Sequence, residues 1–363
     1  MNHLQLRCFE ALSRDREENA DILEKASMRG VKNSVVEKYS DQAHFVYELL
    51  QNANDARATN ARFILEEERL IFAHDGSRQF SVSDPAREEE DSLYGRLGDI
   101  NAITSIGNSN KTEASIGKFG VGFKAVFQYS SAPSIYDPVF HFQIERFIVP
   151  RLLESDFQGR KPNETLFVFP FDDPHKAYAD ILNKLRNLIY PVLFLDKLER
   201  ITVTCGDFHT EYSRRVLEKT RLGTTLAQKI QLTQPTGIER LWLFTRETFD
   251  SQYKLPYSVG YFLDDVGNLR PVSLPAFCFF PTRESTGLNF IIHAPFLLTD
   301  SREGIRAGDE HNINMIDLLS KLAGDSMIYL RESRYLRIIF LLVLSCFPAR
   351  VFRQLYSIKY SKY

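Results

Sequence analysis

Three polar side chains share one face of a predicted helix in the stretch YELLQNANDA, residues 47–56. At about 100° per residue, Glu48, Asn52 and Asp55 fall within roughly 60° of one another, and the neighbouring sectors carry apolar residues. Amide and carboxylate oxygens suit Mg²⁺, and a glutamate can accept a proton from water. The stripe therefore predicts the edge of a cavity that holds a metal ion and a water molecule. Taken alone, the stretch also allows a capped, partly exposed helix end.

A second element with binding chemistry is AHDGS, residues 73–77. Asp75 follows an apolar strand and precedes Gly76, a residue that lets a ligand approach the backbone closely. A carboxylate in this position can accept a hydrogen bond from an exocyclic amine such as that of adenine. Asp-Gly is also a common turn dipeptide, so a plain turn is the competing interpretation.

A third element places glycines directly before a helix, in IGNSNKTEASIGKFGVGFKAVF, residues 106–127. Close-set glycines at a helix start let backbone N–H groups face an anion, and the helix dipole adds to the attraction. The stretch is neither a Walker loop nor a dinucleotide fingerprint, because GxxxxGK[ST] and GxGxxG after a strand are both absent. The polar segment with Ser109 and Lys111 could fold over phosphates as a lid.

In their order along the chain, these elements resemble the motifs of the GHKL, or Bergerat-fold, ATPases. Within that superfamily they are most similar to the N-terminal ATPase module of sacsin-type proteins. The matching stretches are ELLQNANDA, HDG, GNSNK and IGKFGVGFKAVF, and the resemblance covers roughly residues 20–170. The chain departs from the pattern at HDGSRQF, which has one residue more before Phe80 than the compact sacsin-type form. This departure leaves the details of the adenine pocket open.

The resemblance implies a role for each matching residue. Glu48 would orient and deprotonate the attacking water, Asn52 would bind Mg²⁺, and Asp75 would accept the adenine amine. Gly120 and Gly122 would donate backbone N–H groups to the phosphates of ATP. The other nucleotide-binding residues that it implies are Asp55, Gly76, Gly107, Ser109, Lys111, Gly117, Lys118, Phe119, Val121, Phe123, Lys124 and Thr165.

The second half of the chain offers a basic loop. AFCFFPTRESTGLNFIIHAPFLLTDSREGI, residues 276–305, also resembles the sacsin-type continuation. Arg302 would then reach toward the nucleotide as a catalytic residue from a second domain. A surface arginine is the other interpretation, and Arg306 is the neighbouring alternative. We expect His293 to pack within its strand, and Trp242, the only tryptophan, to lie in the core.

Composition limits the class of protein. The 363 residues carry a net charge of −2, with 44% hydrophobic and 25% charged residues. These values are typical of a globular chain with a sizeable core, and they give no general field that would attract nucleic acid. The four cysteines lie far apart without a CxxC pair, so neither a zinc site nor a disulfide framework is indicated. Together with an N-terminus that does not look like a secretory signal, this favours the cytoplasm.

The order of elements predicts two domains and a tail. Residues 1–180 are expected to form an α/β two-layer sandwich of the Bergerat ATP-binding type, with a mixed, mostly antiparallel sheet. In it RFIL and LIF are strands of a hairpin, and the charge run REEED is a solvated loop. Residues 181–325 are expected to form a smaller α/β transducer-like domain, and residues 326–363 a helical tail. The apolar run 338–347 in that tail is much shorter than the ~20 residues of a membrane-spanning helix, and we interpret it as a core or partner-facing helix.

These features predict a slow Mg²⁺-dependent ATPase whose lid and domain closure drives a client or partner protein, with nucleotide-dependent dimerisation as in similar proteins. The alternative is a nucleotide-sensing switch in a multi-protein prokaryotic defence or DNA-processing system, in which binding matters more than turnover. A histidine kinase is disfavoured, because His44 lies on the nucleotide-binding helix itself. Metalloenzyme and nuclease functions lack clusters of suitable ligands.

Overall fold

A computed structural model describes residues 1–25, 27–28, 30, 45–105, 123–250, 253–299 and 303–335. The helices are α1 (His3–Leu23), α2 (Phe45–Asp55), α3 (Glu88–Leu93), α4 (Asp99–Ile103), α5 (Pro174–Arg186) and α6 (Glu310–Glu332), and 3₁₀ turns lie at Pro85–Arg87 and Phe123–Gln128. The strands are β1 (Asn60–Leu65), β2 (Arg69–His74), β3 (Ser134–Tyr136), β4 (His141–Glu145), β5 (Val149–Leu152), β6 (Thr165–Pro170), β7 (Arg200–Cys205), β8 (Phe208–Leu222), β9 (Thr225–Gln234), β10 (Gly237–Asp250), β11 (Tyr253–Leu263), β12 (Leu269–Arg270), β13 (Pro275–Cys278), β14 (Phe280–Ser285) and β15 (Ile291–His293). The chain divides into two compact units, Met1–Glu211 and Tyr212–Tyr363.

The first unit contains a mixed sheet with the strand order β7, β1, β2, β6, β3, β4, β5. β1 pairs in parallel with β7, and the other neighbours in this order are antiparallel. The expectation of a mixed, mostly antiparallel sheet is therefore confirmed for this unit. The predicted RFIL–LIF hairpin is also confirmed, because it is the pair β1–β2, which places Phe63 opposite Phe72.

Side-chain alternation gives the two faces of this sheet different partners. One face carries aromatic rings, and helices cover it: Phe45 of α2 lies 5.9 Å from Phe169, and Phe123 lies 6.2 Å from Phe167 between ring centroids. Burial of one such ring stabilises a fold by about 1.5–3 kcal/mol, so this aromatic layer is a large part of the core. The outer face carries a smaller apolar cluster of Ile71, Ala73, Leu166 and Val168, against which Ile64, Tyr136 and Phe157 pack.

The division between the units falls within β8, later in the chain than the predicted boundary near residue 180. Helix α5 and strand β7 both belong to the first unit. β7 joins that sheet because residues 200–205 pair with residues 60–65 of β1. A pairing over such a sequence distance is set by the tertiary fold and leaves no mark in the local pattern.

The second unit contains a mixed sheet in the order β14, β13, β15, β11, β10, β9, β8, with β12 paired to β11, and it also contains α6. Trp242 of β10 is 2% exposed, and its ring meets Tyr329 and Tyr335 edge-on at 5.7 Å. The core position expected for this tryptophan is therefore confirmed. The hairpin β8–β9 was not predicted, because charged residues dilute the apolar alternation in VLEKTRL and AQKIQ.

Two predictions about polar and terminal segments need correction or lie beyond the described residues. REEED, residues 87–91, is not a loop: the 3₁₀ turn leads into α3, and Glu88 accepts hydrogen bonds from Arg16 and from Asn101 Nδ2. Helix α6 runs across the predicted start of the tail, and the apolar run 338–347 lies outside the described residues. Within the described part of the chain, no helix has the length and apolar character needed to cross a membrane.

Candidate functional site

The polar stripe of α2 is turned into the protein. Glu48 is 8% exposed and Asn52 is 4% exposed, although both carry strongly polar groups. Asp55 is partly buried, and its Oδ2 has no hydrogen-bond partner among the described residues. Since buried polar atoms are normally paired, an unpartnered carboxylate oxygen marks a place where a ligand or cation could bind. The burial of Glu48 and Asn52 also argues against the partly exposed helix end as their environment.

The electrostatics of Asp55 reflect this burial. Desolvation raises the pKa of its carboxyl to about 8, Arg78 opposes the rise, and the negative charges of Asp196 and Glu48 add to it. The side chain is therefore largely protonated near neutral pH. A nearby divalent cation would favour the ionised form, because opposite charge stabilises a carboxylate.

The donor set fits Mg²⁺ bound together with a phosphate ligand. Mg²⁺ is usually held by one or two carboxylates plus substrate phosphates, and not by a complete protein cage. Asn52 and Asp55 could supply such a partial set. Consistent with this, the described segments contain no group of three or more His, Cys, Asp or Glu residues that could hold a metal ion by themselves.

The C-terminal end of α2 is fixed by its own backbone and by one side chain. Arg57 adopts φ 63°, and the N–H of Ala58 donates to the carbonyl of Ala53 at 2.9 Å, which is a Schellman cap. The Asn54 amide oxygen accepts from the Lys197 N–H at 2.9 Å, and its Nδ2 donates to Asp196 at 2.9 Å. Asn54 thus anchors the helix end to the segment before β7 and holds the polar stripe in place.

Gly76 lies where the end of β2 meets the end of α2. A Cβ atom at this position would lie 2.7 Å from the Ala56 carbonyl oxygen and 2.9 Å from His74 Nδ1. The next contact along the chain is the Arg78 N–H, which donates to the same Ala56 oxygen at 3.1 Å. Only a residue without a side chain permits this close approach. The predicted role of Gly76, to let a ligand approach the backbone, stays a prediction.

Asp75 does not share a face with the aromatic layer. Its Oδ1 accepts from the N–H groups of Thr59 and Asn60 at 2.8 Å, and its Oδ2 accepts from Asn60 Nδ2 at 2.7 Å. Burial alone would raise the pKa of this carboxyl, but the hydrogen bonds from Asn60 and Thr59 outweigh it and lower the pKa. Asp75 lines a cavity of about 510 Å³ together with Asn60, Arg62, Lys161, Glu164 and Arg200. Its oxygens are thus engaged within the fold, away from the helix-covered face.

The residue at the end of β2 on the helix-covered face is His74, which is 3% exposed. Its ring centroid lies 5.9 Å from that of Phe72 and 6.1 Å from that of Phe167. Thr165, a predicted site residue, is buried directly opposite His74 in the antiparallel pair β2–β6. His74 was not among the predicted site residues. The period-2 alternation of Leu70, Phe72 and His74 nevertheless places it on the core face and Asp75 on the other.

Lys124, a predicted site residue, is buried and hydrogen-bonded within the protein. The side chain is 1% exposed, its Nζ donates to the Phe147 carbonyl at 2.8 Å, and it lies 4.7 Å from the centre of the Phe147 ring. Burial holds the pKa of this lysine well below its usual value, and the charge of Arg16 lowers it further. Phe123, the neighbouring predicted site residue, belongs to the aromatic layer.

The remaining predicted site residues lie outside the described residues. The segment 106–122 holds the predicted lid and phosphate loop, and the segment 300–302 holds the predicted catalytic arginine. These residues are Gly107, Ser109, Lys111, Gly117, Lys118, Phe119, Gly120, Val121, Gly122 and Arg302. Their roles stay predictions.

Comparison with known proteins supports a sacsin-like chain. Residues 27–141 match the family model of the sacsin domain, and this range contains α2 and the β1–β2 hairpin. The chain is 26% identical over 306 residues to Protein NO VEIN of Arabidopsis thaliana, a match that covers 74% of this chain and 10% of that protein. It is 24% identical over 371 residues to Sacsin of Homo sapiens, covering 76% of this chain and 8% of that protein. The chain therefore spans no more than about a tenth of the length of these curated relatives.

Proposed function

We propose that this chain is a Mg²⁺-dependent ATP-binding protein and slow ATPase, located in the cytoplasm, whose conformational closure drives a partner or client protein. The observation that carries the proposal is the buried stripe of Glu48, Asn52 and Asp55 on α2, which ends against the strand end of β2 at Gly76. The order of motifs shared with GHKL ATPases supplies the class of ligand, and the sacsin-like matches support the comparison.

Each residue of the stripe has a proposed task. Glu48 holds and deprotonates the water that attacks the terminal phosphate, a role in which a positioned carboxylate contributes about 10²–10⁴-fold. Asn52 and Asp55 would hold Mg²⁺, which would supply positive charge beside the phosphates. Asn54 and Gly76 hold the C-terminal end of α2 in a fixed position against the sheet, so that Glu48, Asn52 and Asp55 stay aligned.

The partner role follows from the expected kinetics. An ATPase limited by closure and reopening spends most of its cycle in a long-lived closed state, which suits work on another protein more than rapid turnover. A chaperone-like activity on a client, with a nucleotide-dependent homodimer as the closed form, is the version that we propose. The likeness to sacsin supports this class of activity.

Calorimetry and phosphate release on the full chain test the proposal. We expect the wild type to bind ATP in the presence of Mg²⁺ and to hydrolyse it slowly. Glu48→Gln should bind ATP within about threefold of the wild type and lose hydrolysis by ~100-fold or more. Asn52→Ala should lose the Mg²⁺-dependent part of the binding. Glu67→Gln is the matched control, because this exposed carboxylate lies in the β1–β2 turn, and it should behave as the wild type.

Two outcomes would change the conclusion. Tight binding without hydrolysis by the wild type would favour the nucleotide-sensing switch over the ATPase. A wild-type chain that binds no adenine nucleotide, while its melting transition shows that it is folded, would overturn the proposed function.

A further inference from the structure

The buried imidazole of His74 has one nitrogen whose partner is missing. Its Nδ1 accepts a hydrogen bond from the Gly76 N–H at 3.1 Å, so the proton of the neutral ring lies on Nε2. Nε2 is buried and has no hydrogen-bond partner among the described residues. Burial lowers the pKa of His74 to about 4, against the opposing effect of Asp75, which keeps the ring neutral near pH 7. His74 therefore presents an unpaired N–H donor from an aromatic wall.

The surroundings of this donor suit a flat aromatic ligand. Phe72 and Phe167 flank the ring, and Thr165 adds a hydroxyl at the opposite register position of β6. The end of β2 that carries His74 is held against the end of α2 through Gly76. A ligand with an aromatic ring at His74 and phosphates toward the polar stripe would therefore use both elements.

We propose that His74, and not Asp75, recognises the nucleobase, by donating from Nε2–H to the N1 acceptor of adenine. This inference rests on the proposed nucleotide site. N1 is chosen because it lies on the edge of the base opposite the glycosidic bond, which is the edge that reaches deepest when the ribose and phosphates point outward. Asp75 is unsuited to the task, since its oxygens already accept three hydrogen bonds from Thr59 and Asn60 at the start of β1.

A donor at this position predicts a base preference different from that of a carboxylate. A carboxylate would require the exocyclic amine of adenine, whereas the His74 donor requires the ring nitrogen. Purine riboside triphosphate keeps N1 and lacks the amine, and 1-deaza-ATP keeps the amine and lacks N1. We therefore expect the first analogue to bind within about threefold of ATP, and the second to lose tenfold or more in affinity.

The analogues are compared by calorimetry on the folded wild-type chain of 363 residues with Mg²⁺, which requires no substitution. Four variants follow. His74→Phe keeps an aromatic ring at this position and removes the donor, and His74→Gln keeps an N–H donor. Asp75→Asn changes the carboxylate at the alternative position, and His209→Phe is a control on an exposed histidine. His74→Phe should weaken ATP at least tenfold and should no longer distinguish 1-deaza-ATP from ATP. His74→Gln should recover part of the loss, Asp75→Asn should lose less than His74→Phe, and His209→Phe should match the wild type.

The outcomes separate this inference from the proposed function. If the wild type binds ATP but tolerates 1-deaza-ATP and rejects purine riboside triphosphate, or if Asp75→Asn loses more affinity than His74→Phe, the assignment of His74 is overturned and the nucleotide site stands. If the folded wild type binds none of the three triphosphates, both the nucleotide site and the role of His74 fail.

Discussion

At the scale of single residues, the first unit contains ionisable groups whose protonation follows from burial. Asp55 combines desolvation with two neighbouring carboxylates, so its pKa rises to about 8. Asp75, only twenty residues along the chain, has its pKa lowered, because hydrogen bonds from Asn60 and Thr59 outweigh its partial burial. The two aspartates thus differ in charge near neutral pH. Of the two, Asp55 is the one with an oxygen that has no hydrogen-bond partner among the described residues.

Asp55 should make the stability of the protein fall as the pH rises. Its folded-state pKa of about 8 lies above the ordinary 3.8, so the folded state holds an extra proton between these values. The stabilisation is complete at low pH and is lost between about pH 4 and pH 8. Asp55→Asn should therefore gain stability relative to the wild type on the order of a few kcal/mol from pH 5 to pH 8, as measured by urea unfolding.

A matched control for this experiment is Asp207→Asn, an exposed aspartate in the β7–β8 turn. Its stability should change with pH in parallel with the wild type. If Asp55→Asn also runs parallel to the wild type between pH 5 and pH 8, burial of Asp55 does not control its protonation.

At the scale of elements, the contact between the ends of α2 and β2 determines the site. The helix brings Glu48, Asn52 and Asp55, the strand brings His74, and Gly76 lets the two ends meet. Neither element forms the site by itself. The polar stripe lies along α2, and the imidazole of His74, whose Nε2 has no partner among the described residues, lies at the end of β2.

Gly76→Ala should disturb this contact. The added methyl group would lie 2.7 Å from the Ala56 carbonyl oxygen, a backbone atom that cannot rotate away. We expect a loss of about 1–3 kcal/mol in the free energy of unfolding, measured by denaturant titration, together with weaker nucleotide binding.

Gly324→Ala is the matched glycine substitution with the opposite expected sign. Gly324 lies inside α6, where an added Cβ meets nothing within 4 Å. Replacing glycine by alanine in a helix interior stabilises it by roughly 0.5–1 kcal/mol. A Gly76→Ala variant as stable as the wild type would show that the end of α2 shifts freely away from β2, contrary to the tight contact described above.

At the scale of the whole molecule, both compact units contain a buried, neutral histidine: His74 in the first and His293 in the second. His293 packs edge-on against Phe279 at 5.0 Å, as expected of a core residue in β15. Burial lowers its pKa to about 3. Acid therefore favours unfolding of both units, because the unfolded chain can bind a proton at each histidine that the folded chain does not bind.

The second unit should lose stability in mild acid. The folded-state pKa of His293 lies below the ordinary 6.5, so the unfolded chain binds the extra proton, and stability present above pH 6.5 is lost as the pH falls toward 3. From pH 7 to pH 4.5 this amounts to about 2–3 kcal/mol. Trp242 is the only tryptophan and lies in the second unit, so its fluorescence during urea unfolding reports on that unit.

His293→Gln tests the source of this effect, because glutamine does not titrate in this range. Its pH dependence between 7 and 4.5, followed by Trp242 fluorescence, should be smaller than that of the wild type by most of the stated amount. An unchanged slope would mean that other groups control the acid sensitivity of the second unit.

Local sequence determined the elements whose pattern repeats within a few residues. The 3.6-residue period placed the polar stripe on α2, and the period of two placed the β1–β2 hairpin, because both patterns depend only on backbone geometry. The hairpin β8–β9 could not be predicted from its alternation, since charged side chains on its solvent-facing side obscure the apolar pattern. The prediction of a solvated loop at residues 87–91 was wrong, because the buried partners of Glu88 come from α1 and α4, which are distant in sequence.

Tertiary structure decided which groups meet. The parallel pairing of β7 with β1 extends the first sheet past the predicted domain boundary, and it depends on residues more than a hundred positions apart. Tertiary contacts also paired Asp75 with Thr59 and Asn60, and left Nε2 of His74 without a hydrogen-bond partner among the described residues. Sequence by itself determined the types of residue available for chemistry and their local faces. Their partners, burial and protonation required the fold, because desolvation and hydrogen bonding depend on side chains brought together from distant parts of the chain.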